Sequence, residues 1–588
     1  MKKILLVLLS FLLLSSCANE KEISIEESNL VALSKFEVRE KTTSQKENED
    51  FNDFLADFNL ESLKRMDFVG SSSFIYNPDN FDMSEKEGGL EPLVYGFDEE
   101  EYTFYNNYLK KLESFDYDTL SSYQQYQYES LKYSIYETLT MIENYRYDLV
   151  FSKRNDVIVN LFFTLADISL NTENRIIAYL ETIASLDTYL NSLIEYTKQQ
   201  YAEGIYTGDE ALDYTANMIS NILAKGDENS LILTFSNRIA KTEGLLQEDK
   251  EKYLAQNYDL VMNDLFPYLR KMLDELESLK GKKQTYVSEC DKEYKDMLYA
   301  INSSSNASLS DILNLLIDTY NDFLQKYEEA LENPDYEKRL EQYYADPLFK
   351  LEEKEMIRTI YELGEGFYPR LKEIKFEINE FDDSLKDTNI LAYYRIYQFD
   401  NTDNNIIMVN PSTKQTSTPY DYGATITHEG IFGHMYIYNY YAQKGIEENA
   451  LLINYSAYDE GMAMYSEYLL PLIMGYEDVS AIISYDYIGA YLIDSIFDIM
   501  INYFDYDSKY MKDNFGLSQS QYEYYLQYPA LLIRYGVGFA YIYQYLNMTK
   551  EALGDDFSYE EFNELLMCDG PLPFVILENK IKEYILNN

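Results

Sequence analysis

The chain has 588 residues, and 49 Lys and Arg against 102 Asp and Glu leave a formal net charge of −53. Acidity on that scale excludes direct nucleic-acid binding, which needs a basic face for the phosphates, and a 46% hydrophobic content excludes wholesale disorder. The length fits one large domain or two closely packed ones, because single cores stop growing beyond roughly 250–300 residues. Tyrosine is abundant (62) and tryptophan absent, which reads as biased codon usage, since an aromatic sugar-binding surface usually recruits Trp.

Lys2 and Lys3 precede an apolar run from Ile4 to Leu14, followed by Ser15, Ser16 and Cys17. This is the pattern of a secretory signal, and it is too short to span a bilayer. Its end, Leu14-Ser15-Ser16-Cys17, resembles a bacterial lipobox. The resemblance implies that residues 1–16 are removed and that Cys17 is diacylated as the first mature residue. The protein would then be extracytoplasmic, touching a bacterial membrane only through this lipid. No later segment reads as a membrane span. Residues 17–50 are charged and polar and read as a flexible tether, leaving 51–588 as the globular part. Cys290 and Cys568 are read as two buried free thiols rather than a bridge.

From residue 51 the pattern is predominantly helical. Leu131, Ile135, Leu139 and Ile142 follow at spacings of four, four and three, one face of a helix. A second helix is predicted from an N-cap at Ser310 through Ile312, Leu316, Tyr320, Phe323 and Tyr327, ending before Asn333-Pro334. No proline occurs between Pro92 and Pro267, and no fixed-period repeat supports a solenoid. The apolar run Asn405 to Val409, closed by Asn410-Pro411, reads as a short or edge strand. Such a strand would align an extended peptide by edge pairing.

The chain has only two histidines, six residues apart in His428-Glu429-Gly430-Ile431-Phe432-Gly433-His434. A Ser-His-Asp or Cys-His enzyme would have to take its base from this same pair. A metal site uses paired imidazoles with a neighbouring carboxylate directly, a non-ligating Glu serving as base. On an ideal helix, six residues leave the two side chains roughly 120° apart. Both can address one ion only if the helix is kinked, bulged or ended between them, which Gly430 and Gly433 permit. A third ligand must come from elsewhere. Glu460 and Glu467 lie seven apart in a second predicted helix and share a face, with Tyr465 on a different side.

His428 to His434 resembles the HEGIPGH signature of the DUF885 family, bacterial proteins regarded as zinc metallopeptidases. Val409-Asn410 resembles the strand before that signature, and Glu460 to Glu467 resembles the family's EGWAxYxE helix. Pro529 to Gly538, with Tyr535 between, resembles its PGQAxxYxxG segment, and Asp569-Gly570-Pro571-Leu572-Pro573 its GxxPL finish. The resemblance is strongest over about the last 200 residues. It implies that His428, His434 and Glu460 bind one Zn²⁺ per chain, with Glu467 as the competing ligand or a supporting partner. It further implies that Glu429 is the general base and that Tyr535 is a candidate oxyanion donor. Phe432 stands where the family has Pro, Met435 where it often has His, and Met462 where it has Trp. Tyr491 and Asn563 occupy positions that often carry His.

The sequence therefore predicts a mainly α fold: a large helical domain enclosing a channel, with a small β element beside the metal-site helix and the metal-site half at about 390–588. The expected function is a lipid-anchored zinc peptidase acting on peptides. The alternatives are a non-catalytic surface lipoprotein that binds peptides or partners, and a metal-dependent hydrolase of other amides or esters.

Overall fold

Helix signals set the architecture from the start of the globular part. The computed structural model describes residues 36, 38–39, 46–81, 83, 85–153, 157–381, 390–446 and 452–588; the signal segment and Cys17 lie outside them. Helix α1 (Glu49–Arg65) opens on Asn48, whose side chain accepts from the Phe51 N–H, and it carries acids in its first turn and bases in its last. Within the stretch read as a tether, Phe36 is buried, its ring edge-on to Tyr133 at 5.0 Å between centroids.

Helix α2 (Ser122–Glu143) starts with a capping box between Ser121 and Gln124 and buries Leu131, Ile135 and Leu139, as their spacing predicts. Helices α3 (Val157–Asp167) and α4 (Glu173–Ala202) follow. Helix α5 (Leu309–Leu331) buries Ile312, Leu316, Tyr320, Phe323 and Tyr327, but its cap is Ser308 rather than Ser310. Ser308 accepts from the Asp311 N–H at 3.2 Å and donates to the Asp311 carboxylate at 2.7 Å. This reciprocal pair draws the helix start two residues earlier and leaves Ser310 inside the first turn.

The three strands are β1 (Phe376–Glu380), β2 (Ala392–Arg395) and β3 (Asn405–Val409), in the order β1-β3-β2. β3 runs parallel to β1 and antiparallel to β2. It is therefore the central strand, not an edge, and it cannot align a peptide because both of its edges are taken. Consecutive apolar residues Ile406 and Ile407 are both buried, as befits a strand covered on both faces. Pro411 does not mark an edge either; it sits in the first turn of the short helix that follows the strand.

Two apolar cores result. One joins α4 to the helices that follow it as far as Leu279, and the other joins α1, α2 and α5 to the C-terminal half. That half supplies α6 (Pro419–Glu429), α7 (His434–Lys444), α8 (Ser456–Ile473), α9 (Glu477–Asp498) and α10 (Ile533–Leu553). α8 and α10 touch backbone to backbone. A Cβ on Gly461 would lie 2.4 Å from the Gly538 carbonyl carbon, and one on Gly538 would lie 1.9 Å from the Ala457 oxygen. This contact holds the start of α8, where Glu460 precedes Gly461, against α10 at Gly538. Among the described residues, no helix is long and apolar enough to cross a membrane. Cys290 and Cys568 are free thiols, half-buried rather than buried.

Candidate metal centre

The His-Glu segment is not one helix. α6 starts at Thr418, whose hydroxyl accepts from the Asp421 N–H and donates to its carboxylate, and it ends at Glu429. α7 begins at His434. In between the chain turns through Phe432 at φ +72°, and Tyr436 N–H donates to the Gly430 carbonyl at 3.1 Å. Gly433 is required here by close approach: a Cβ on it would sit 1.8 Å from the His428 carbonyl oxygen. Ending one helix and starting another removes the 120° mismatch that a continuous helix would impose. The two imidazoles come to 4.9 Å between ring centroids, nearly perpendicular.

Glu460, on α8, completes the set. Its Oε2 lies 3.3 Å from His428 Nε2 and 3.6 Å from His434 Nε2, and the three candidate ligand atoms all fall within 4.8 Å of one another. Glu467, two turns further along α8, is behind the site rather than in it: its Oε1 pairs with His428 Nδ1 at 2.7 Å. That bond orients the ring so that Nε2 faces inward. Glu429 is also off the ligand set. Its Oε2 accepts from the Tyr394 backbone N–H of β2 at 2.8 Å, and its Oε1 lies 4.0 Å from His428 Nε2.

The electrostatics favour a cation. Burial disfavours charged imidazoles, yet the carboxylates of Glu460 and Glu467 outweigh it and hold His428 well above the ordinary histidine range. His434 is raised by the same balance, with Glu460 as the main partner. Burial alone would raise Glu460, but the two imidazoles pull it below the usual carboxylate range. Burial raises Glu429, and lifts Asp459, which accepts from the Tyr438 hydroxyl, to about 6. Four carboxylates thus surround two imidazoles in a largely buried space, and Glu460 Oε2 is buried without a hydrogen bond. Two imidazoles do not balance four buried carboxylates, and such an excess of buried charge is expensive. A divalent ion taking two imidazole nitrogens and one carboxylate oxygen would offset it, so the residues fit such an ion.

Tyr535 stands in the first turn of α10 with its ring 6.4 Å from that of His428, and Tyr491 packs 5.6 Å from Tyr535. Asn563 is turned elsewhere, donating to the Phe367 carbonyl. Phe432, Met435 and Met462 are fully buried in the apolar core. The Tyr394 N–H has no signal in the sequence, because a main-chain donor is not encoded by residue type. Tyr487 was also missed. It faces Glu467, whose charge, more than burial, holds its phenol well above the ordinary range. Its spacing of four from Tyr491 on α9 is the signal that could have found it.

The model of the family described as bacterial protein of unknown function (DUF885) matches residues 84–581, and the chain belongs to that family. Among solved structures, it is similar to a Colwellia psychrerythraea protein named as a lipoprotein. That match has a TM-score of 0.74 at 15% identity, covering 92% of this chain and all of the other. It is also similar to a Shewanella oneidensis protein named as a lipoprotein of unknown function, with a TM-score of 0.58 at 14% identity, covering 91% of this chain and 98% of that one. At such identities the likeness is one of fold. No curated protein matches the chain.

Proposed function

We propose that the protein is a zinc-dependent peptidase held outside the cytoplasm by a lipid on Cys17. The observation that carries this reading is the convergence of one donor atom each from His428, His434 and Glu460 within 4.8 Å, with Glu429 alongside but outside that set. Zn²⁺ held there would supply a Lewis acid that polarises a peptide carbonyl and acidifies water. Glu429 does the proton work. Its Oε2 is pinned by the Tyr394 N–H, leaving Oε1 to take a proton from the attacking water and pass it to the departing amine. Burial lifts its pKa above the ordinary carboxylate range, toward the neutral values at which a base is most effective. Glu467 holds the His428 ring, and Tyr535, whose ring lies 6.4 Å from that of His428, would donate a hydrogen bond to the carbonyl oxygen as it gains negative charge.

The test is zinc content per chain on the soluble form beginning at Ala18, beside a His434→Ala control, followed by Glu429→Gln. One equivalent of zinc, lost in the control, with turnover abolished and metal retained in Glu429→Gln, is the expected result. A folded, zinc-supplemented protein without metal would overturn the reading and leave a surface lipoprotein that binds peptides or partners. Peptide, acyl-amino-acid and ester substrates compared on the zinc form separate a peptidase from a hydrolase of other amides or esters.

A further inference from the structure

The last two helices place a thiol, an amine and a carboxylate together, away from the candidate metal centre. Helix α11 (Tyr559–Met567) is capped by Cys568, and α12 (Phe574–Asn587) follows a turn through Gly570 at φ +82°. The turn brings Lys580 of α12 onto the end of α11. Lys580 Nζ lies 3.3 Å from Cys568 Sγ and 2.6 Å from Asp569 Oδ2, which is itself 3.7 Å from that sulfur. Lys580 is only 4% exposed, and its ammonium stands 5.5 Å from the centre of the Tyr126 ring. Lysine is almost never buried so deeply unless paired, and here its partners are one carboxylate and one thiol. Cys568 is half-buried, so a small oxidant can reach its sulfur.

The geometry points to a covalent modification site: oxidation of Cys568 by a peroxide joins its sulfur to the Lys580 nitrogen. The peroxide gives one oxygen to the thiol, forming a sulfenic acid, and leaves as water or an alcohol; sulfur is oxidised and the O–O bond reduced. Asp569 takes a proton from the Lys580 ammonium, and the freed lone pair attacks the sulfur. The S–N bond forms, the S–O bond breaks, and the departing hydroxide takes a second proton from the nitrogen and leaves as water. Sulfenic acid and ammonium thus become a sulfenamide, one water and one proton, which Asp569 keeps. Reacting atoms about 3–3.5 Å apart are already in a near-attack arrangement, and the 3.3 Å between Nζ and Sγ meets that condition. The link needs no second thiol. Cys290, the other free thiol, rests on the Tyr286 carbonyl at 3.5 Å, and burial pushes it up to about 12, so it is the less reactive sulfur. The bond would tie α12 to the end of α11, whether or not the metal centre is catalytic.

The test treats the full soluble chain with hydrogen peroxide, blocks remaining thiols, digests with trypsin and reads peptide masses. Trypsin cuts after a free lysine, and residues 551–579 contain no Lys or Arg. The expected product is therefore one uncut peptide over residues 551–582, about 2 Da lighter than its sequence mass. Dithiothreitol should restore both the mass and the cut after Lys580. Lys580→Arg keeps a positive charge beside Asp569 without the primary amine. It should give no lighter peptide and let Cys568 proceed to sulfinic acid, about 32 Da heavier, with circular dichroism showing that the variant is folded. Treating the parent in urea makes the test independent of that variant, since loss of the near-attack arrangement should cut the yield at least tenfold. Four results would overturn the inference: a Cys568 that stays a thiol, sulfinic acid in the folded parent with the cut after Lys580 intact, a lighter peptide from Lys580→Arg, or a yield that urea leaves unchanged.

Discussion

Gly433→Ala is the sharpest probe of how the two imidazoles are brought together. An ideal Cβ at this position lies 1.8 Å from the His428 oxygen, 2.5 Å from its carbonyl carbon and 2.7 Å from the Thr427 oxygen. All three are backbone atoms, so no side chain can swing aside. Restoring even a tight contact of about 3.0 Å requires the turn to open by roughly 1.2 Å between the two candidate ligands. Metal sites tolerate deviations of only about 0.2 Å in ligand distance. Zinc affinity should therefore fall at least 100-fold, which is about 2.7 kcal/mol, on top of about 1–3 kcal/mol of folding stability lost to overpacking.

The assay is a zinc titration against a chromophoric chelator, with circular dichroism to show that the variant is folded. Gly489→Ala is the matched control. It lies inside α9, its added Cβ would meet nothing closer than 3.8 Å, and replacing a helical Gly by Ala gains about 0.5–1 kcal/mol. Gly433→Ala that folds and binds zinc as tightly as the parent would refute the claim that this close approach positions the ligands.

Three further outcomes are expected. Glu467→Ala removes the acceptor on His428 Nδ1 and should weaken zinc binding about 10–100-fold in the same titration, while leaving Glu460 and His434 in place. Ala530 sits at φ +55°, where an L-residue is strained, so Ala530→Gly should raise stability by about 0.5–1 kcal/mol in urea unfolding; a decrease would show that the turn prefers its methyl group. Burial raises Glu129 from 4.5 to about 7, against the opposing Arg39 N–H and Lys132. The folded chain therefore keeps a proton that the unfolded chain has released, and stability should fall by about 3 kcal/mol as pH rises from 4.5 through 7. Glu129→Gln should flatten that slope, and an unchanged slope would assign it to other groups.

The helical framework was legible because its signals are local. The spacing of four, four and three through Leu131, Ile135, Leu139 and Ile142 needs no tertiary information, nor does the face from Ile312 to Tyr327. The Ser308 cap was missed because Ser308 and Ser310 are equivalent by type; the position of Asp311, three residues after one and one after the other, decides between them. β3 was misplaced at an edge because strand order depends on β1 and β2, whose short runs carry no comparable apolar signal. Glu460 and Glu467 share a helix face, and seven residues separate them by about 10.5 Å along the axis. One ion can reach only one of them, and the sequence has no means of choosing. The fold resolves it by placing the His428 ring between them, Nε2 toward Glu460 and Nδ1 toward Glu467.

Phe432 shows how the turn between the two histidines is held where the signature has a proline. Proline holds φ near −65°, whereas this residue stands at +72°, so the turn between the histidines is not the one a proline would build. The left-handed conformation costs roughly 1–2 kcal/mol for a residue with a side chain. It is held by the ring, which stacks on Tyr368 at 4.3 Å and 11°, meets Tyr436 edge-on at 5.3 Å, and fills the space that a Cβ on Gly364 would occupy. Aromatic pairs of this kind contribute about 0.5–1.5 kcal/mol each beyond their buried area, enough to offset the strain. The turn is thus fixed from the core side by an aromatic stack and from the backbone side by Gly433. The inward-facing Nε2 atoms of His428 and His434 depend on both.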